Sequence, residues 1–168
     1  EGDLIVVGIG VAPRDELARG AGLKVDNGIV VDEFLRTSAP DVFAAGDVAS
    51  TWNSRYNSRI RVEHWANALN QGQVAAQNML GQNGHDSNDS RDTPDTRDTK
   101  DSRLTAYTKL PYFYSDQYDL GMEYNGYATD WDRVVLRHGK SGRELLAFWT
   151  KAGGMLAGMN GDIWDQDD

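Results

Sequence analysis

Between residues 86 and 103 the chain runs through six tandem triplets, DSN, DSR, DTP, DTR, DTK and DSR, without a single apolar residue. A period of three matches neither a packed helix nor a strand. A stretch with nothing apolar to bury cannot offset the entropy of ordering it. Residues 83–103 are therefore expected to be a disordered, Asp-rich linker, and anything that folds must be built from what lies on either side. The aspartates raise the question of calcium, but they alternate with Arg and Lys and lack the EF-hand spacing.

The two flanking pieces differ in texture. In the first, the run Leu4-Ile5-Val6-Val7 ends on Gly8-Ile9-Gly10. A continuous apolar run bounded by glycine predicts a parallel strand covered on both faces. After Pro13 a short helix is expected over residues 15–19. Strands at 23–25 and 29–31 should follow, joined through Asp26-Asn27-Gly28, whose Asn-Gly pair suits the positive φ of a tight turn. A strand at 42–45 should stop at Gly46-Asp47. From 65 to 80, Trp65, Ala68, Leu69, Gly72, Ala75, Ala76, Met79 and Leu80 recur at helical spacing, which predicts an amphipathic helix burying that face and capped by Gly81. The second piece is β-rich, with strands expected at 112–114, 120–124, 133–137, 145–149 and 155–159. Asn125-Gly126 and Lys140-Ser141-Gly142 should be turns. The first piece thus reads as α/β and the second as α+β with an antiparallel sheet.

Composition narrows the chemistry. With 168 residues, 39% of them hydrophobic, the chain can bury a real core. It has no cysteine, so neither a disulfide, a thiolate metal site nor a redox dithiol can form within it. A net charge of −9 argues against nucleic acid and anionic membranes as partners. No apolar run is long enough to span a bilayer, no secretory leader is visible, and a cytoplasmic location is expected. Because the chain opens at Glu1 almost directly on a buried-looking strand, it is expected to be a piece of a longer protein.

Three stretches could carry chemistry. In residues 37–47, TSAPDVFAAGD, an apolar run delivers Gly46 and then Asp47. Glycine lets a ligand approach the backbone, and a carboxylate can accept hydrogen bonds from a polyol, although Asp47 could equally cap the next segment. In residues 61–68, RVEHWANA, Glu63, His64 and Trp65 stand at a helix start, where free N–H groups stabilise negative charge. His64 and Trp65 could instead be a buried staple. In residues 110–117, LPYFYSDQ, the aromatic trio could stack on a flat cofactor or fill a sheet core.

In this order, the stretches resemble the FAD-dependent pyridine nucleotide-disulfide oxidoreductases, and within them the branch of ferredoxin, rubredoxin and putidaredoxin reductases and apoptosis-inducing factor. Residues 6–13, VVGIGVAP, look like the last strand of that family's NAD domain. Residues 37–47 look like its second FAD fingerprint, Glu63-His64-Trp65 with Asn67-Ala68 like its flavin-facing segment, and residues 111–117 like the start of its C-terminal domain. The resemblance implies a remnant of the FAD/NAD(P)-binding domains (1–14 for NAD(P), 15–82 for FAD) followed by a truncated C-terminal domain at 104–168. It makes Asp47 the ligand of the ribityl chain, Gly46 a cofactor-binding residue beside it, and His64 and Trp65 flavin contacts. It puts Glu63 and Tyr114 beside the nicotinamide, and Gly8 and Gly10 on the NAD side. Gly8-Ile9-Gly10 lacks the third glycine of a phosphate-binding loop, and neither Gly-rich dinucleotide fingerprint is present. The implied cofactors are FAD and NAD(P)H, the implied acceptor is a ferredoxin- or rubredoxin-like protein, and a homodimer is possible. The isolated piece is expected to be inactive. A non-catalytic interaction or dimerisation module is the alternative.

Overall fold

Residues 2–82, 104–140 and 142–163 are described by a computed structural model. The triplet run lies outside these residues. Helix α1 (Glu16–Gly20) is followed by β1 (Ile29–Val31), a 3-10 turn at Gly46–Val48, β2 (Ala49–Asn53), β3 (Ser58–Ile60) and α2 (Trp65–Gln82). β1 runs parallel to β2, and β2 antiparallel to β3. Beyond the triplets, β4 (Tyr112–Gln117), β5 (Leu120–Gly126), β6 (Arg133–His138), β7 (Leu145–Lys151) and β8 (Gly154–Gly161) form one antiparallel sheet in the order β4-β5-β8-β7-β6. The fold class is as the sequence suggested: a mixed α/β unit, then a five-stranded antiparallel sheet.

Several local expectations are corrected. Residues 3–10 form no strand, and Leu4, Ile5 and Val6 are 82%, 83% and 87% exposed. A doubly covered strand exists only where neighbours complete its ladder, and no described strand pairs with this one. Residues 42–45 make only an isolated bridge, Arg36 to Phe43, and residues 23–25 one bridge, Val25 to Ile29. Asp41, at φ 59°, turns the backbone just before this run, which then pairs only briefly with residues 35–37. The Asn27-Gly28 turn forms as expected, with φ of 46° and 108°. Asn125 and Gly126 are not a turn but the last residues of β5, where a Cβ on Gly126 would lie 2.4 Å from the Leu156 carbonyl. At the β7–β8 hairpin, Ala152 and Gly153 supply the positive φ values, 49° and 81°.

Helix α2 forms where the periodicity placed it, but with the other face inward. Trp65 and Leu80 are more than 70% exposed, and Leu69 and Met79 are half-exposed. The buried stripe is Asn67, Gln71, Ala75 and Asn78. Its amides serve backbone groups that have no ladder partner: Asn67 Nδ2 donates to the Val62 carbonyl, and Asn78 Nδ2 donates to the Phe34 and Thr105 carbonyls. Gly81 lies within the helix rather than capping it. Beneath α2 sits the core, Val31, Leu35, Ala44, Ala49, Ala75 and Tyr107. Tyr107 reaches it from beyond the triplet run: its N–H donates to the Glu33 carbonyl at 2.7 Å and its hydroxyl to Asn67 Oδ1 at 3.1 Å.

Candidate functional site

The chain after Ala45 turns through Gly46 at φ 79°, a left-handed conformation that glycine adopts without strain. Gly46 is buried against α2, where a Cβ would come within 3.4 Å of the Ala68 Cβ. Its N–H donates to Gln71 Oε1 at 2.8 Å. Gln71, 3% exposed, uses its other end as well, Nε2 donating to Thr51 Oγ1 at 3.1 Å. The 3-10 turn is thereby tied to both α2 and β2, and the Asp47 side chain is left facing out.

Arg61 holds the next layer. Its Nη1 donates to the Asp47 carbonyl at 3.0 Å and to Glu63 Oε1 at 2.5 Å, and its Nε donates to Asn27 Oδ1 at 3.2 Å. Gly28 is needed here, because a Cβ would lie 2.5 Å from the Val48 carbonyl and 2.9 Å from Arg61 Cδ. Glu63 is thus fixed at the mouth of α2 by an ion pair with a guanidinium that is only 11% exposed.

Helix α2 begins directly after His64, whose carbonyl accepts from the Ala68 N–H. The first-turn N–H groups of Trp65, Ala66 and Asn67 precede any i−4 carbonyl of the helix, so the end carries partial positive charge. The His64 ring lies 4.8 Å from that of Phe113 on β4, and its Nδ1 is buried without a partner among the described residues. Burial pushes the imidazole below its usual range, while the Asp47 and Glu63 carboxylates pull it the other way. Trp65, 73% exposed, presents its indole to the open side.

The structure therefore gathers Gly46, Asp47, Glu63, His64 and Trp65 at one helix start. Phe113, which sequence reasoning placed only within an aromatic trio, is the aromatic that meets them. It continues through Tyr124 (5.2 Å) to Trp149 (5.3 Å from Tyr124) on the same sheet face. Tyr114 is one residue further along the strand, so it points to the opposite face, 54% exposed, with its ring 6.4 Å from that of Tyr112. Gly8 and Gly10 lie in the exposed N-terminal stretch, joined to the site by no hydrogen bond. The signals for Gln71 and Arg61 were present only as polar residues near the helix start, with nothing local to show what they would hold. The described residues contain no cluster of metal-ligating side chains and no helix long and apolar enough to cross a membrane.

Residues 1–72 match the family described as "Pyridine nucleotide-disulphide oxidoreductase", and residues 112–161 match "Reductase C-terminal". The chain belongs to the pyridine nucleotide-disulphide oxidoreductases. Putidaredoxin reductase CamA of Pseudomonas putida is 32% identical over 155 residues, covering 92% of this chain and 32% of the relative. Apoptosis-inducing factor 3 of Homo sapiens is 31% identical over 160 residues, covering 92% of this chain and 23% of the relative. Among solved structures, the ferredoxin reductase for the CYP199A2 system from Rhodopseudomonas palustris superposes with a TM-score of 0.76 at 32% identity, over 95% of this chain and 34% of that one. The reductase of a covalent putidaredoxin reductase–putidaredoxin complex gives 0.75 at 31% identity, over 95% and 33%. The chain therefore spans no more than about a third of these relatives.

The family binds FAD and NAD(P)H, and the residues at the helix start fit a flavin. A left-handed glycine turn packed on α2, an outward carboxylate, free helix N–H groups, an orphaned imidazole nitrogen and an exposed indole suit a flat ring with a polar edge and a polyol tail.

Proposed function

We propose that this chain is the flavin-closing part of a cytoplasmic FAD-dependent NAD(P)H oxidoreductase that delivers electrons to a ferredoxin- or rubredoxin-like protein. The observation that carries the reading is the convergence of the Gly46-Asp47 turn and the start of α2 on one open surface, backed by the His64–Phe113 ring contact. A bound flavin supplies hydride acceptance from the nicotinamide and release of electrons to the acceptor. Asp47 accepts hydrogen bonds from the ribityl hydroxyls, and the first-turn N–H groups of α2 favour the ring's electron-rich edge. Trp65 packs along the ring and shields it from water. Glu63, held by Arg61, stands toward the nicotinamide side. Support comes from the 32% identity to a putidaredoxin reductase along nearly the whole chain.

The test joins this chain behind the nucleotide-binding two-thirds of putidaredoxin reductase. The expected product is a yellow protein that oxidises NADH with ferricyanide, while Asp47→Ala in the same fusion lowers flavin retention. The 168-residue chain alone should purify colourless. Stoichiometric flavin on the chain alone, or a folded fusion whose flavin retention ignores Asp47, would overturn the reading.

A further inference from the structure

We propose that Gln71 is a positioning residue for the cofactor: it sets the orientation of the Gly46-Asp47 turn through its carboxamide, with no contact to the ligand of its own. This rests on the flavin reading above. Gln71 is 3% exposed, six residues into α2, with each end of its amide committed. Oε1 takes the Gly46 N–H at 2.8 Å, and Nε2 gives to Thr51 Oγ1 at 3.1 Å. Three separate elements therefore meet on one side chain: the 3-10 turn, the helix whose first turn faces the ligand, and the strand of the core sheet.

The geometry explains why an amide is required. A buried N–H without an acceptor is strongly unfavourable, so in the absence of Gln71 the peptide before Gly46 rotates toward water. Gly46, at φ 79°, has the freedom to follow that rotation, since no Cβ restrains it. Asp47 comes next in the chain and would swing with it. Gln71 thus supplies the restraint that the glycine lacks. An apolar side chain of the same size, such as leucine, fills the space but accepts nothing. Glutamate retains the acceptor, and the Thr51 hydroxyl can reverse to donate to it. The Gly46 N–H, a donor only, fixes which end of the carboxamide faces it, and the Thr51 hydroxyl anchors the other end, so Thr51 belongs to the same device.

The test uses the fusion of this chain to the nucleotide-binding part of putidaredoxin reductase, labelled with nitrogen-15, stripped of flavin and then titrated with FAD. In the wild type the Gly46 amide should exchange slowly, and FAD should shift the amides of Asp47 and Trp65. Gln71→Leu should speed Gly46 exchange and require about tenfold more FAD for the same shifts, a difference of about 1.4 kcal/mol. Thr51→Val should move both readouts less, in the same direction, and Gln71→Glu should restore both in part. A role in packing alone would leave Gly46 exchange and FAD affinity unchanged in Thr51→Val and unrescued in Gln71→Glu, which overturns the proposal. If FAD shifts nothing in the wild type, the flavin reading fails, while Gly46 exchange still decides whether Gln71 holds the turn. If wild type and Gln71→Leu bind FAD equally, the flavin reading stands and the role of Gln71 falls.

Discussion

The two halves of the molecule hold themselves together by opposite means. In the α/β unit the buried set includes Ser50, Thr51, Asn53, Asn67, Gln71 and Asn78, six polar side chains among a modest apolar core. In the five-stranded sheet the fully buried positions are small and apolar, Ala147 and Ala157, under the ring series Phe113, Tyr124 and Trp149. The difference follows from the backbone. Strands of a sheet satisfy one another's N–H and C=O groups, so the side chains need only pack. The α/β unit carries long irregular connections, and their peptide groups find partners in amides projected from α2. A unit made of irregular connections is held in place by buried polar side chains, and a sheet is held by its ladder.

The sharpest way to break this comparison is Asn78→Ala. It leaves the Phe34 carbonyl and both backbone groups of Thr105 without their partner. At roughly 1–3 kcal/mol for a buried group left unsatisfied, a loss of about 3 kcal/mol is expected in urea unfolding. A loss below about 1 kcal/mol would show that the amide clamps contribute little beyond packing. In the sheet the matching experiment is Phe113→Ala, which cuts the ring series and the contact with His64. Because Phe113 is only partly buried, about 2 kcal/mol is expected, below the range for a full core Phe→Ala, together with loss of near-ultraviolet circular dichroism. An unchanged spectrum would mean that the two halves do not communicate through that ring.

A smaller effect is expected from Gly46→Ala, since a left-handed residue with a Cβ is strained by about 1–2 kcal/mol and Ala68 stands at 3.4 Å. The Gly46 amide should remain bonded to Gln71 if the clamp dominates, which amide exchange would reveal.

The smallest effects are in pH. Burial lowers the His64 pKa, so the unfolded chain binds a proton more readily. Its contribution is present above pH 6.5 and is lost as pH falls below that value toward the folded pKa. His64→Phe should flatten stability across that window. On the sheet, Tyr112 donates to Glu123 at 2.6 Å and is pushed up to about 12 from 10.0. Its contribution is full below pH 10 and is lost as pH rises toward about 12. Tyr112→Phe should weaken that alkaline slope and leave the His64 slope below pH 6.5 in place.

Much of this arrangement was legible before folding. The five C-terminal strands and α2 declared themselves because their signals are local: alternation, spacing and glycine turns act over a few residues. The Gly46-Asp47 turn and the Glu63-His64-Trp65 start were visible as motifs, because the backbone chemistry they need is written in residue type. β2 and β3 were missed, being short and polar, with Ser50, Thr51 and Asn53 buried through hydrogen bonds that no periodicity announces. The N-terminal run read as a strand from its composition, yet a strand exists only beside another, and here it has none among the described residues.

By itself the sequence determined where α2 and the five C-terminal strands would form, and that Asn27-Gly28 would turn. Tertiary structure alone decided which face of α2 turns inward, that Tyr107 crosses to the first sheet, and that Phe113 rather than Tyr114 meets His64. Those outcomes depend on which unsatisfied backbone groups and open surfaces lie opposite each side chain. They are set by residues dozens of positions away, as with Gly46 and Gln71 or Glu33 and Tyr107.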